Sequence, residues 1–239
     1  ALEYKKNIQF DTIGASEIEI TEEEKELCSQ WFEDKFFGIH KKMPFTFKVD
    51  GKTFNPTEWE QHITKAPKSS SVYQGGETEY IVYKNKDIGL EVTVEATIFE
   101  KNATCQWKVF IKNTGKENSG VISDFYALDS SFATGKADLY YSMGSDTAAS
   151  DFSLIKKNLT SVERKFSAND GKPTEAYLPY FNIHGESFGM ILGIGWTGQW
   201  AAELLQKNGS SEISVKQENL NAYLLPDESI RSPLVSVSF

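Results

Sequence analysis

Only two cysteines, Cys28 and Cys105, occur in the 239 residues, too few for a disulfide framework or a structural zinc site. Histidine is almost as scarce. His40, His62 and His184 are scattered without ligand spacing such as HExxH, so each reads as a surface or hydrogen-bonded residue. Neither a metal nor a cofactor is expected. Positive charge is also short, with 25 Lys and Arg against 34 Asp and Glu and a formal net charge of −9. A surface of that sign repels phosphate backbones and anionic lipid, which argues against nucleic-acid and membrane-surface roles. No apolar run approaches the roughly 18–20 residues that span a bilayer. No basic, apolar leader opens the chain, but it begins at Ala1, so upstream processing and the compartment (bacterial cytoplasm, periplasm or exterior) stay open.

What the chain does have is apolar material, 39% of residues, with 13% aromatic, enough for one substantial core. No internal repeat or low-complexity linker divides it, so a single domain over 1–239 is expected. Thr21-Glu22-Glu23-Glu24 has the form of a capping box, and Leu27, Cys28, Trp31 and Phe32 fall within about 140° on a helical wheel, predicting one short helix over 22–34. After Pro44 the period becomes two. Leu90, Val92, Val94, Ala96 and Ile98 alternate with polar residues, as do Cys105, Trp107, Val109 and Ile111. Similar runs at 121–128, 138–143, 177–184, 187–196, 211–217, 220–225 and 232–239, separated by polar turns, predict an antiparallel β-sandwich.

The segment GMILGIGWTGQW, Gly189 to Trp200, is open to three readings. A phosphate loop is excluded by the missing GxGxxG spacing and GK[ST] ending. Residues 201–204 fit either a turn of helix or a continued strand. A buried strand fits better, with Met190, Leu192 and Ile194 on one face and Ile191, Gly193 and Gly195 on the other. Glycine within a strand marks a bulge or a place where another surface comes close. The third reading makes Trp196 and Trp200 a platform for a sugar, although core or interface packing is the commoner use of tryptophan.

The run GMILGIGWTGQWAAEL resembles the G-W-S-G-Q-W segment of glycoside hydrolase family 36, the α-galactosidase-type enzymes. Further likenesses follow in order: Pro44-Phe45-Thr46-Phe47 with Asp50-Gly51-Lys52, Gly89-Leu90-Glu91-Val92, Gln106-Trp107 and Lys112-Asn113-Thr114-Gly115. Asp170-Gly171-Lys172-Pro173, Leu178-Pro179-Tyr180-Phe181-Asn182 and Leu225-Pro226-Asp227-Glu228-Ser229-Ile230-Arg231-Ser232-Pro233 complete the set, which covers about 44–239. Asp227 stands where the family has glycine, a change that a type I turn accepts. Gln106 stands where glutamate is usual, and the segment 22–34 has no clear counterpart.

The resemblance implies an all-β fold, a large two-sheet antiparallel sandwich of the galactose-mutarotase-like (supersandwich) kind. It also implies that this is the N-terminal domain, with the two catalytic aspartates of retaining hydrolysis on a (β/α)₈ barrel after Phe239. No catalytic residue is then expected here. A serine–histidine–acid arrangement around His184 has no nucleophile-elbow pattern behind it. The expected partners are the catalytic barrel of the same polypeptide and an α-galactoside or related carbohydrate. Trp196, Trp200 and Arg231 are the candidates for the domain interface, and an apolar patch left there would support a homo-oligomer. Some family members reach a loop tryptophan of this domain over the active-site mouth, which makes Trp59 the substrate-contact candidate; covering the sandwich edge is its alternative role. A free-standing carbohydrate-binding module and a structural or oligomerisation domain are the competing functions.

Overall fold

The structure, a computed structural model, describes residues 19–38, 42–65 and 75–239; His40 lies outside them. Helix α1 spans Glu22–Phe36. Its start is the expected capping box: the Glu24 amide donates to Thr21 Oγ1 at 3.2 Å, and the Thr21 amide donates to the Glu24 carboxylate at 2.7 Å. Three acidic residues in the first turn complement the helix dipole.

The remaining elements form two antiparallel sheets, with strands numbered along the chain. The smaller has seven strands in the order β10 (Arg164–Ser167), β13 (Trp200–Lys207), β14 (Ser210–Gln217), β7 (Ile122–Phe132), β1 (Thr46–Val49) and β2 (Lys52–Phe54), with β15 (Asn221–Ala222) also on β7. The larger has ten, in the order β3 (Glu60–Lys65), β4 (Glu77–Asn85), β5 (Leu90–Phe99), β6 (Thr104–Asn113), β17 (Leu234–Ser238), β12 (Gly189–Gly195), β11 (Tyr177–Gly185), β8 (Ala137–Met143) and β9 (Leu154–Asn158), with β16 (Ser229–Arg231) also on β6. Residues 201–204 therefore continue a strand, and of the run 220–225 only the two residues of β15 pair.

Period-two patterning determines which side chains enter the space between the sheets. Leu90, Val92, Val94 and Ala96 of β5 and Cys105, Trp107, Val109 and Ile111 of β6 are all buried. The Trp107 indole N–H that enters with them is paired, donating to the Ala127 carbonyl across the sandwich at 2.8 Å. Helix α1 buries Cys28, Phe32 and Phe36 against the same core. Its Trp31 ring stacks on Phe132 of β7 at 5.6 Å and lies 5.4 Å from Trp107 of β6, so the helix closes one end of the sandwich by touching both sheets.

Candidate functional site

The Gly189–Trp200 segment is strand β12 and the turn after it. Met190, Leu192 and Ile194 face the core, and Gly189, Ile191, Gly193 and Gly195 face outward. The register sets Tyr180 beside Gly193 and Asn182 beside Ile191 on β11, with Ser236 and Ser238 of β17 on the other flank. A Cβ at position 193 would sit 3.6 Å from the Tyr180 ring, so the ring lies over the bare backbone of the glycine. Tyr180 is 62% exposed and Ile191 51%. The outer face of the large sheet thus combines a floor of glycine and serine with large apolar side chains standing in solvent.

Just past β12, the Arg231 guanidinium carbon lies 4.9 Å from the centre of the half-buried Trp196 ring. The exposed Arg231 also donates to the Ser232 carbonyl at 3.2 Å. Two of the three interface candidates therefore meet at this surface. Trp200 does not. It is fully buried, its indole N–H donating to the Pro173 carbonyl at 2.7 Å and its ring meeting Phe181 edge-on at 6.1 Å. Its position as the first residue of β13 points it between the sheets, so it offers no area to a neighbouring domain.

Trp59 follows a 3₁₀ turn at Pro56–Glu58, where the chain passes from the end strand of one sheet, β2, to the end strand of the other, β3. Its ring is half-buried, edge-on to Phe47 at 6.2 Å and to Phe54 at 6.0 Å. Both partners belong to the smaller sheet, so the ring packs on β1 and β2.

His184 faces Asp138 across the β11–β8 pair, in a cleft of about 460 Å³ with Lys136, Asn158 and Glu186. Asp138 is already engaged: Lys156 at 2.7 Å pulls its carboxyl below the usual range, and the Asn158 amide also donates to it. Among the described residues, the cleft lining contains no serine, threonine or cysteine to serve as nucleophile. Asp124, Asp151 and Glu175 are likewise shifted downward, by Lys48, by the Ser145 hydroxyl and by Lys172 respectively. A general acid for glycoside hydrolysis needs the opposite shift.

No protein-family model matches the chain, and no curated protein matches it by sequence. Solved structures do match it. The GH36 α-galactosidase AgaA from Geobacillus stearothermophilus superposes with a TM-score of 0.65 at 18% identity, over 82% of this chain and 30% of its own. AgaB from the same organism gives 0.65 at 19% identity over 84% and 30%. The α-galactosidase from Lactobacillus brevis gives 0.66 at 13% identity over 84% and 29%. The fold is that of the N-terminal β-sandwich of GH36 α-galactosidases. The chain spans about 30% of the length of these enzymes.

Several residues that carry the likeness to the GH36 sandwich are joints of its frame. Gln199, from the G-W-T-G-Q-W stretch, accepts from the Gly171 amide at 2.8 Å and donates to Glu218 at 2.7 Å, tying the Asp170-Gly171 turn to the end of β14. Asp50-Gly51 is a two-residue hairpin loop between β1 and β2 with both φ positive, 49° and 76°, the conformation that favours Asp-Gly. Ser232 accepts from the Val109 amide at 3.0 Å and anchors the last strands to β6. Among the strands that alternation did not mark, β3 and β9 have their side chains largely in solvent, the four residues of β10 are too few to show a period, and β4 carries a continuous apolar run, Tyr80–Tyr83, in place of alternation.

Proposed function

We propose that this chain is a non-catalytic sandwich domain of an α-galactosidase-like glycoside hydrolase, packing on the catalytic barrel of the same polypeptide through the outer face of its large sheet. The observation that carries this reading is the surface at the end of β12, where Trp196 and Arg231 stack beside a glycine–serine floor flanked by exposed Tyr180 and Ile191. A neighbouring domain of ordinary interdomain size, roughly 600–1,500 Å², would cover such a surface. Trp196 supplies area and Arg231 a planar fork for a carboxylate or carbonyl on the other side. The substrate of the whole enzyme would be an α-galactoside, bound and cleaved by residues outside this chain. The test is hydrolysis of p-nitrophenyl α-galactoside by the chain alone. Background rate is expected, and turnover that disappears on mutation of one acidic residue here would overturn the reading.

A carbohydrate-binding module is the second reading, favoured by the exposed strip Tyr180, Asn182 and His184 along β11. Saturable galactose binding lost in Tyr180→Ala would select it over the domain-packing reading. Self-association through the same face, read by sedimentation, is the outcome that selects an oligomerisation domain.

A further inference from the structure

Helix α1 lies before the segment that carries the GH36 likeness, and its contact with β6 brings together the two cysteines of the chain. Cys28 and Cys105 are both free thiols, both fully buried and part of one core cluster. The placement follows from two periodicities. Cys28 lies three residues before Trp31, on the same helix face, and Cys105 lies two before Trp107, on the same strand face. Trp31 and Phe36 contact Trp107 at 5.4 and 5.7 Å, and α1 also packs on the 3₁₀ turn Glu100–Asn102 that leads into β6, so one turn back the two buried cysteines lie at the same helix–sheet contact.

We propose that Cys28 and Cys105 are a redox couple that closes to an intramolecular disulfide and clamps helix α1 to the large sheet. A low-molecular-weight disulfide such as oxidised glutathione is the oxidant. The Cys28 thiolate attacks one sulfur of that disulfide and releases one reduced glutathione. Cys105, its proton passing to the departing thiolate, then displaces the second glutathione from the mixed disulfide. Two protein thiols lose two hydrogens, and one small disulfide becomes two thiols. The order of attack follows from the environments. The hydrogen bond with Cys105 lowers the Cys28 thiol, while burial raises Cys105 well above its ordinary value.

Because both sulfurs are buried, exchange requires α1 to be undocked, so the bond forms as the helix docks. The chain should therefore be refolded from denaturant in a reduced/oxidised glutathione buffer, in parallel with a fully reduced control. The expected product is two hydrogens lighter, with no reactive thiol after denaturation. Unreduced digestion should give a peptide of α1 joined to a peptide of β6. The cross-link closes a long loop of the unfolded chain, so Tm should rise by about 5–10 °C over the reduced form. Amide exchange in α1 should slow, and Cys28→Ala should abolish both changes. Should Cys28→Ala fail to fold, the peptide map of the unaltered chain decides on its own. Two free thiols after oxidative refolding, or glutathione adducts without the cross-linked peptide, would overturn the proposal.

Discussion

The Asn113 side-chain amide donates to the Leu224 carbonyl at 2.9 Å, joining two stretches of chain that are remote in sequence. The same NH₂ donates to the Glu117 carbonyl at 2.8 Å, and the Asn113 Oδ1 accepts from the Gly115 amide at 2.9 Å. Lys-Asn-Thr-Gly and Leu-Pro-Asp-Glu are thus two halves of one joint, and Asn113 is buried within it. Asn113→Ala leaves buried polar groups unpaired and is expected to cost about 3 kcal/mol in a denaturant melt. A loss near zero would mean that water replaces the amide and the joint is not structural.

Asp227 provides a test in the stabilising direction. The turn Leu225–Glu228 closes with the Glu228 amide on the Leu225 carbonyl at 3.0 Å, and Asp227 has φ of 65°. That is the third position of a type II turn, not the type I turn expected for Pro-Asp, and it favours glycine. The aspartate is held there by a 3.2 Å pair with Lys112, in which its side chain is 88% exposed. An exposed pair contributes little, so Asp227→Gly is expected to raise stability by up to about 1 kcal/mol. A lower denaturation midpoint would show that the Lys112 pair outweighs the backbone strain.

Asp124 provides the pH dependence. It sits in a bulge of β7 at φ 44°, with Lys48 at 2.7 Å and Lys216 at 3.2 Å. The Lys48 and Lys216 ammonium groups lower its carboxyl in the folded chain. The pair therefore stabilises fully above the unfolded carboxyl value of about 3.9 and is lost as pH falls through the lower folded value. Because the carboxylate is more than a third exposed, about 1 kcal/mol or less is expected. Asp124→Asn should lower stability at pH 7 and converge with the parent in strong acid. Parallel curves down to low pH would assign the loss to the bulge rather than the charge.

Trp59 should behave as an edge cover. Its contacts with Phe47 and Phe54 account for its half-buried ring, and Trp59→Ala is expected to cost about 2 kcal/mol, below the range for a fully buried aromatic. Galactose titrated against Trp59→Phe and the parent should give the same fluorescence response. A quench present only in the parent would place the ring on sugar.

The sandwich was legible because alternation alone commits Leu90–Phe99 and Thr104–Asn113 to strands with one buried face, and the capping box of α1 is written in four consecutive residues. The candidate site was legible only in part. Gly193 and Gly195 signalled a bare strand face, which the structure has. Trp196 and Trp200, four residues apart, carried no sign that the turn between them sends one to the surface and the other between the sheets. That difference arises from the register of β13 against β14, a long-range pairing that local pattern does not encode.

The same difference yields the sharpest test of the interface. Trp200 fills the core and pairs with Pro173, so Trp200→Ala should cost about 3–5 kcal/mol whether or not a catalytic domain is attached. Trp196 has only part of its ring buried here, with Arg231 on one face. In the chain alone, Trp196→Ala should cost about 1 kcal/mol, the cation–π contact and some area. In a polypeptide that carries the catalytic domain the same substitution removes interdomain contact as well, so its cost should at least double. Denaturant melts of both polypeptides, each with and without the two substitutions, give four differences to compare. Equal losses for Trp196 in the two settings would make it an ordinary surface tryptophan and take the junction away from the end of β12.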